Sequence, residues 1–360
     1  MERRKTKEIK IGTVKIGADN PIAVQSMTNT DTKDADATTA QIKALYDAGC
    51  AIVRCAVYDS ECISPLRTIV RKSPVPVVAD IHFDYKLALG AIDAGVAKVR
   101  INPGNIGSDE KIRLVAKSAS EHGVPIRVGA NTGSINTDFV AKYGKNYIAV
   151  AESALANVSA LEKNGFDNIV VSAKSSNVRE MISIYRYLSE RIDYPLHLGV
   201  TEAGDILAGT VKSSLGIGAL LLEGIGDTIR VSLTADPVKE VHTAYELLRA
   251  AGLYHGGVEI ISCPTCARTQ YALEDTVARL REKFAGEKRS LTVAVMGCVV
   301  NGPGEASNAD IGIAGGKGKA VIFEHGQKVG VIDAADAVDI LYERAMTILE
   351  NKGNDKKQCL

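Results

Sequence analysis

"PVVADIHFDYKLALGAIDAGVAKVRINPG", residues 76–104, holds one complete architectural unit. Residues 76–82 are a short apolar, β-branched run that ends on Asp80 and His82. Residues 84–95, "DYKLALGAIDAG", carry apolar residues at helical spacing and close on Gly95, the residue type favoured just past a helix end. Residues 98–104, "KVRINPG", form a second apolar run, closed by Arg100 and Asn102. Strand, helix and strand in this order join two parallel strands through a crossover helix.

The unit recurs on both sides. Apolar runs stand at 21–27, 51–57, 76–82, 98–104, 125–130, 168–174, 196–202 and 228–234, with helical stretches such as "TTAQIKALYDAG" and "EKIRLVAKSASEHG" between them. Strands that read as nearly continuous apolar runs suit a parallel sheet covered by helices. Eight strand–helix units in about 250 residues is the size of a (β/α)8 TIM-type barrel. An open doubly wound sheet has similar composition, and the count of eight favours the barrel. The expected α/β architecture is a barrel over residues 1–255, followed by a smaller α+β domain over 256–360. The change falls at "GLYHGGVEI", where Gly256 and Gly257 mark a linker. Beyond it come a strand, "CPTCAR", a helix, the strand "LTVAVMGC", a glycine-rich loop and "IGIAGG". A hairpin, "KAVIFEHGQKVGVI", and a last helix near 333–350 complete it, and "NKGNDKKQCL" reads as a frayed polar tail.

Composition narrows the function classes. Hydrophobic residues make up 46% of the 360, enough for a large core, and formal net charge is zero. That balance argues against a broad nucleic-acid or membrane surface. There is no apolar run of bilayer length, and the basic start "MERRKTKEIKIG" lacks the apolar stretch of a signal peptide. A cytoplasmic location is expected. Seven cysteines in such a chain do not suggest a disulfide framework. Cys50, Cys55 and Cys62 read as small buried residues, and Cys359 as an exposed residue without a role.

Cys263, Cys266 and Cys298 read differently. The first two have ligand spacing, and Cys298 enters the glycine-rich loop "GCVVNGPGEA". Zinc favours four Cys or His ligands, which His255 or His325 would have to complete without finger-like spacing. Disulfide exchange needs only the pair and leaves Cys298 unexplained. A 4Fe–4S cluster on three thiolates leaves one iron for another ligand, and Glu305, in the same loop, offers an oxygen. Spacing alone leaves all three open.

The strand ends of the first domain are unusually charged. Arg54, Arg100, Arg127, Lys174 and Arg230 lie on five strands, with Asp80, His82, Asn102, Asn131, Glu202 and Ser232 beside them. The active site of a β/α barrel lies at these ends. Five converging cations suggest a ligand with several negative charges, diphosphates being the obvious class. The bland alternative is that they pair with Asp80, Glu202 and Glu223 and serve only the barrel.

"SCPTCART" with "GCVVNGPGEA" resembles the cluster-binding signature of the 4-hydroxy-3-methylbut-2-enyl diphosphate synthases. "PIAVQSMTNT", "VADIHFDYKLAL", "VRINPGNIG", "PIRVGANTGS", "LHLGVTEAG" and "LLEGIGDTIRVSLTADP" are similar to the same family, in its two-domain form. The resemblance implies a 4Fe–4S cluster on Cys263, Cys266, Cys298 and Glu305. It implies reductive ring opening of 2-C-methyl-D-erythritol 2,4-cyclodiphosphate. Arg54, Arg100, Arg127, Lys174 and Arg230 would hold the diphosphate, helped by Asn102, Asn131 and Ser232. Asp80, His82 and Glu202 would face the carbon skeleton, with Glu202 as proton donor or base. A flavodoxin or ferredoxin would deliver the electrons. The family pattern also implies a homodimer, the cluster domain of one chain capping the barrel of the other. Two rival readings differ in class: a zinc-stabilised barrel aldolase or isomerase for phosphorylated sugars, and a non-enzymatic cluster-bearing sensor.

Overall fold

The computed structural model describes residues 2–131, 137–299, 304 and 308–358; the side chains of 131, 137 and 353–358 lie outside that description. The chain divides into two compact units, Met1–Tyr254 and His255–Leu360.

The first unit opens with an antiparallel hairpin of β1 (Ile9–Ile11) and β2 (Val14–Ile16). Eight parallel strands follow: β3 (Ala23–Met27), β4 (Ile52–Ala56), β5 (Val77–Asp80), β6 (Lys98–Ile101), β7 (Ile126–Asn131), β8 (Ile169–Lys174), β9 (His197–Leu198) and β10 (Thr228–Ile229). Their sheet order is β8-β7-β6-β5-β4-β3-β10-β9, and a bridge from Val171 to Leu196 brings the two ends together. The result is the nearly closed barrel that the eight apolar runs predict. β9 and β10 hold only two residues each, far shorter than the runs at 196–202 and 228–234 suggest.

Side-chain alternation explains the barrel's division into two compartments. On β4, Val53 and Cys55 pack outward with helix residues Ile42 and Leu66. Arg54, between them, therefore faces the interior. Burial pushes the thiols of Cys50 and Cys55 up to about 12 and about 11, as expected of structural cysteines. At the lower end, Ile9, Ile11 and Ile16 of the hairpin pack against Ala23, Ile52, Val78 and Val170 from four barrel strands. The hairpin is a plug, which the sequence reading did not anticipate. Aspartates cap the helices that follow several strands: Asp34, Asp84, Asp205 and Asp236 each accept a backbone N–H of the first turn.

The second unit is a five-stranded sheet, β11 (Val258–Ser262), β12 (Leu291–Met296), β13 (Ile311–Gly315), β14 (Lys319–Glu324) and β15 (Gln327–Asp333), in sequential order. β11, β12 and β13 run parallel, and β14 and β15 are antiparallel. Helices Leu273–Lys283 and Ala337–Gln358 pack on it through Leu280, Leu341 and Leu349. The last helix continues to Gln358, so the expected frayed tail is helical through that residue. His325 and Gly326, both at positive φ, make the tight turn of the expected hairpin. Among the described residues no helix is long and apolar enough to cross a membrane.

Candidate functional site

Asp80, at the end of β5, organises the upper end of the barrel. Strand register sets Ala56 opposite Asp80 and Asp80 opposite Arg100. Arg100 Nη1 donates to Asp80 Oδ1 at 3.0 Å. Arg54 Nε and His82 Nε2 each lie 3.6 Å from Asp80 Oδ2. His82 Nε2 is also 3.0 Å from Arg100 Nη1, and its ring is half exposed. Burial alone would raise the Asp80 carboxyl; Arg54, His82, Arg100 and Arg127 overcome it and hold the group well below the usual range. Burial pushes the Arg54 guanidinium down to about 10, against the attraction of Asp80.

Arg127 on β7 and Lys174 on β8 are buried and pair with no carboxylate among the described residues. Burial, and then repulsion from neighbouring cations, lowers both well below their ordinary values. Arg127 Nε and Nη1 have no hydrogen-bond partner among the described residues. Arg230, just past β10, does have a carboxylate. Its Nε and Nη2 lie 3.4 Å from Glu240, which also accepts from Ser26 Oγ at 2.9 Å and from the Leu233 N–H at 3.1 Å.

The structure thus brings together the five cations singled out from sequence. Of the alternative pairing with Asp80, Glu202 and Glu223, the Asp80 part holds, with Arg54 and Arg100. Glu223 binds Arg186 on the surface, and the buried partner of Arg230 is Glu240. Glu240 sits in the first turn of helix Pro237–Ala250, where an acidic residue ordinarily only complements the helix dipole. Its sequence signal was therefore weak. Met27 was missed too: its sulfur lies 2.8 Å from Arg54 Nη2 and 3.7 Å from Arg230 Nη1, a soft acceptor between two guanidinium groups. Lys98, fully buried lower in the barrel, donates to Gln25 Oε1 at 3.3 Å. Counted over the described interior, six lysine and arginine side chains (Arg54, Lys98, Arg100, Arg127, Lys174, Arg230) face two carboxylates, Asp80 and Glu240.

The remaining candidates have mixed placements. Asn102 caps the short helix Pro103–Ile106, its Oδ1 accepting from the Gly104 N–H and from Asn157 Nδ2, both at 3.2 Å. Asn131 ends β7 opposite Lys174, and its side chain lies outside the described residues. Ser232 is half-buried past β10. Glu202 is exposed after β9 at φ +53°, a left-handed conformation that strains a residue with a side chain.

In the second unit, β11 and β12 pair in parallel with Ser262 opposite Val295. The ends of these strands lie side by side, and each leads into a cysteine, Cys263 and Cys298. The Gly297 N–H donates to Cys263 Sγ at 3.1 Å. The Cys266 thiol is lowered by hydrogen bonds from the backbone and side chain of Arg268, which also interacts electrostatically with Cys298 and Cys263. Three thiols around one guanidinium, with backbone N–H bonds to sulfur, are the donor chemistry of an iron–sulfur site. On that ground the residues fit a cluster. Among the described residues no three His, Cys, Asp or Glu side chains already converge at metal-binding distance. Glu305 lies outside the described residues. His325, one possible zinc ligand, occupies the β14–β15 turn.

Comparison with known proteins gives this geometry a family. Residues 6–245 match the model of the GcpE TIM-barrel domain, and residues 259–347 that of the GcpE protein C-terminal domain. The chain belongs to the GcpE family. Among GcpE relatives, the 4-hydroxy-3-methylbut-2-en-1-yl diphosphate synthase (flavodoxin) of Clostridium perfringens is 52% identical over 97% of this chain and 100% of its own. The protein of the same name from Clostridium acetobutylicum is 55% identical over 95% of this chain and 98% of its own. That of Geobacter sulfurreducens is 50% identical over 97% and 99%. Among solved structures, dihydropteroate synthase from Stenotrophomonas maltophilia matches with a TM-score of 0.50 and 15% identity, over 69% of this chain and 98% of that one. At that identity the likeness speaks for the GcpE barrel fold alone.

Proposed function

We infer that this protein is an iron–sulfur oxidoreductase of the methylerythritol phosphate route to isoprenoids. It converts 2-C-methyl-D-erythritol 2,4-cyclodiphosphate into 4-hydroxy-3-methylbut-2-enyl diphosphate. Two electrons and one proton enter, one ring C–O bond to phosphate opens, and one hydroxyl leaves as water. The observation that carries this reading is the excess of basic groups at the upper end of the barrel: Arg54, Arg100, Arg127 and Lys174, all buried, and the part-buried Arg230, against two carboxylates, call for a ligand with several negative charges.

In this reading Arg54, Arg100, Arg127, Lys174 and Arg230 bind the diphosphate. Asp80 aims Arg54 and Arg100, and Glu240 aims Arg230. Asn102 has its oxygen engaged as a helix cap, so its Nδ2 is the atom that donates to a phosphate oxygen. Asn131 and Ser232 add polar contacts from neighbouring strand ends. His82 and Glu202, both accessible, face the carbon skeleton, and Glu202 supplies the proton. Cys263, Cys266 and Cys298, with Glu305, would hold a 4Fe–4S cluster, which when bound supplies single electrons and a Lewis-acidic iron. Flavodoxin or ferredoxin is the donor, as the relatives' names suggest for flavodoxin. The working form is a homodimer in which the cluster unit of one chain serves the barrel of its partner. The zinc-stabilised aldolase reading is not favoured, because the relatives carry the diphosphate synthase name.

The test is an anaerobic assay of iron-replete protein with the cyclic diphosphate and reduced flavodoxin. The expected result is the linear diphosphate by mass spectrometry, from protein with about four irons and four sulfides per chain. Absence of product under those conditions, or about one zinc and no sulfide, would overturn the reading.

A further inference from the structure

Two glycines in the barrel wall have no conformational reason to be glycine. Gly129 on β7 and Gly199 just past β9 are absent from the residues at positive φ. What distinguishes them is what a side chain would strike. A Cβ on Gly129 would lie 2.8 Å from Arg100 Nε and 3.0 Å from Arg100 Nη2. A Cβ on Gly199 would lie 2.7 Å from Lys174 Nζ and 2.8 Å from the Arg230 carbonyl oxygen. At each position a neighbour would have to shift: the Arg100 guanidinium at Gly129, and at Gly199 the Lys174 ammonium end and the Arg230 backbone, of which the backbone yields least. By contrast, Gly218, on a barrel helix, has nothing within 4 Å of an added Cβ.

We propose that Gly129 and Gly199 are positioning residues for polyanion recognition: bare backbone on these two strands forms slots in which Arg100 and Lys174 lie flat against the barrel wall. The purpose of the slots rests on the diphosphate reading above; their existence rests on geometry alone. Arg100 shows what a slot does. With its guanidinium against Gly129, Nη1 reaches Asp80 and His82, both at 3.0 Å, while Nε is buried without a hydrogen-bond partner among the described residues. A methyl group at 129 would drive the guanidinium away from both partners. Lys174 stands opposite Asn131 on β7 and near four other cations, Arg230, Arg54, Arg127 and Arg100. Repulsion alone would send its flexible stem elsewhere, and the opening at Gly199 gives the ammonium one place to rest. The same glycine lets the Arg230 backbone approach closely, so one bare position serves two cations.

Double-mutant cycles test this directly. Calorimetric affinity for inorganic pyrophosphate and thermal stability would be measured on the full chain, with Gly218→Ala as a control expected to leave affinity unchanged and to raise stability slightly, as alanine does inside a helix. Gly129→Ala is expected to lower pyrophosphate affinity about tenfold and to lower stability where Arg100 is present. In an Arg100→Ala background, where the slot is vacant, it should change neither. Gly199→Ala should depend on Lys174 in the same sense, with a residue of loss from the Arg230 carbonyl that Lys174→Ala does not relieve. Equal losses with and without Arg100, or no loss in either background, would overturn the proposal. Should the parent protein fail to bind pyrophosphate, the diphosphate reading falls, and the stability cycle still decides whether the slots exist.

Discussion

Lys98 and His197 are basic groups that the barrel interior drives toward neutrality. Burial, then Arg127 and Arg54, hold the Lys98 amine well below its ordinary value; burial, then Arg127 and Lys174, do the same to His197. When a folded-state value lies below the unfolded one, the unfolded chain binds more protons between the two, and stability rises with pH across that window. The window ends near 6.5 for His197 and near about 10.4 for Lys98. At pH 7 the protein therefore still carries a penalty from Lys98. Replacing Lys98 by Met together with Gln25 by Leu, so that neither partner is stranded, should raise stability by about 1–3 kcal/mol at pH 7. The gain should shrink towards pH 10, which urea unfolding at the two pH values would check. Single residues were legible in the sequence where they broke a pattern. Arg54 interrupts an apolar run, and Asp80 closes one. Glu240 breaks nothing, because an acidic first turn is the ordinary state of a helix; only its burial beside Arg230 reveals its part.

At the scale of elements, the β1–β2 hairpin carries a prediction. Ile11 and Ile16 are fully buried against the lower ends of the barrel strands. Ile11→Ala should cost about 2–5 kcal/mol of barrel stability, the usual range for a buried large-to-small change. It should leave intact the visible absorption that the proposed cluster would give iron-replete protein, and denaturant unfolding followed by circular dichroism beside the absorption spectrum would separate the two. The hairpin escaped the sequence reading because strands of three residues are too short to show periodicity. β9 and β10 were found despite holding two residues each, since their flanking apolar runs extend beyond the paired segment. The last helix was placed too short: lysines and asparagine after 350 read as tail, yet they continue a helix whose apolar side, at Leu341, Ala345 and Leu349, is already anchored.

For the whole molecule, the two units have separate cores, and the proposed site needs one of each. Arg127→Ala removes a barrel cation, and Cys266→Ala removes a thiol of the second unit. Each variant alone should be inactive. On the proposed homodimer, mixing and re-equilibrating the two should recover roughly a quarter of normal activity, because half the dimers would then be hybrids with one intact composite site. No recovery, measured by product formation, would place both halves of the site in one chain. The two-unit organisation was legible from the switch in element pattern at Gly256, while the depth of cation burial was not, since it depends on strand register. The plugged lower end of the barrel adds a kinetic consequence. The interior below the strand ends is filled with side chains and the hairpin covers its base, so whatever binds at Lys174 and Asp80 arrives and departs at the upper end. Product must vacate before the next substrate arrives, and any spent diphosphate that lingers there delays turnover simply by standing in the way.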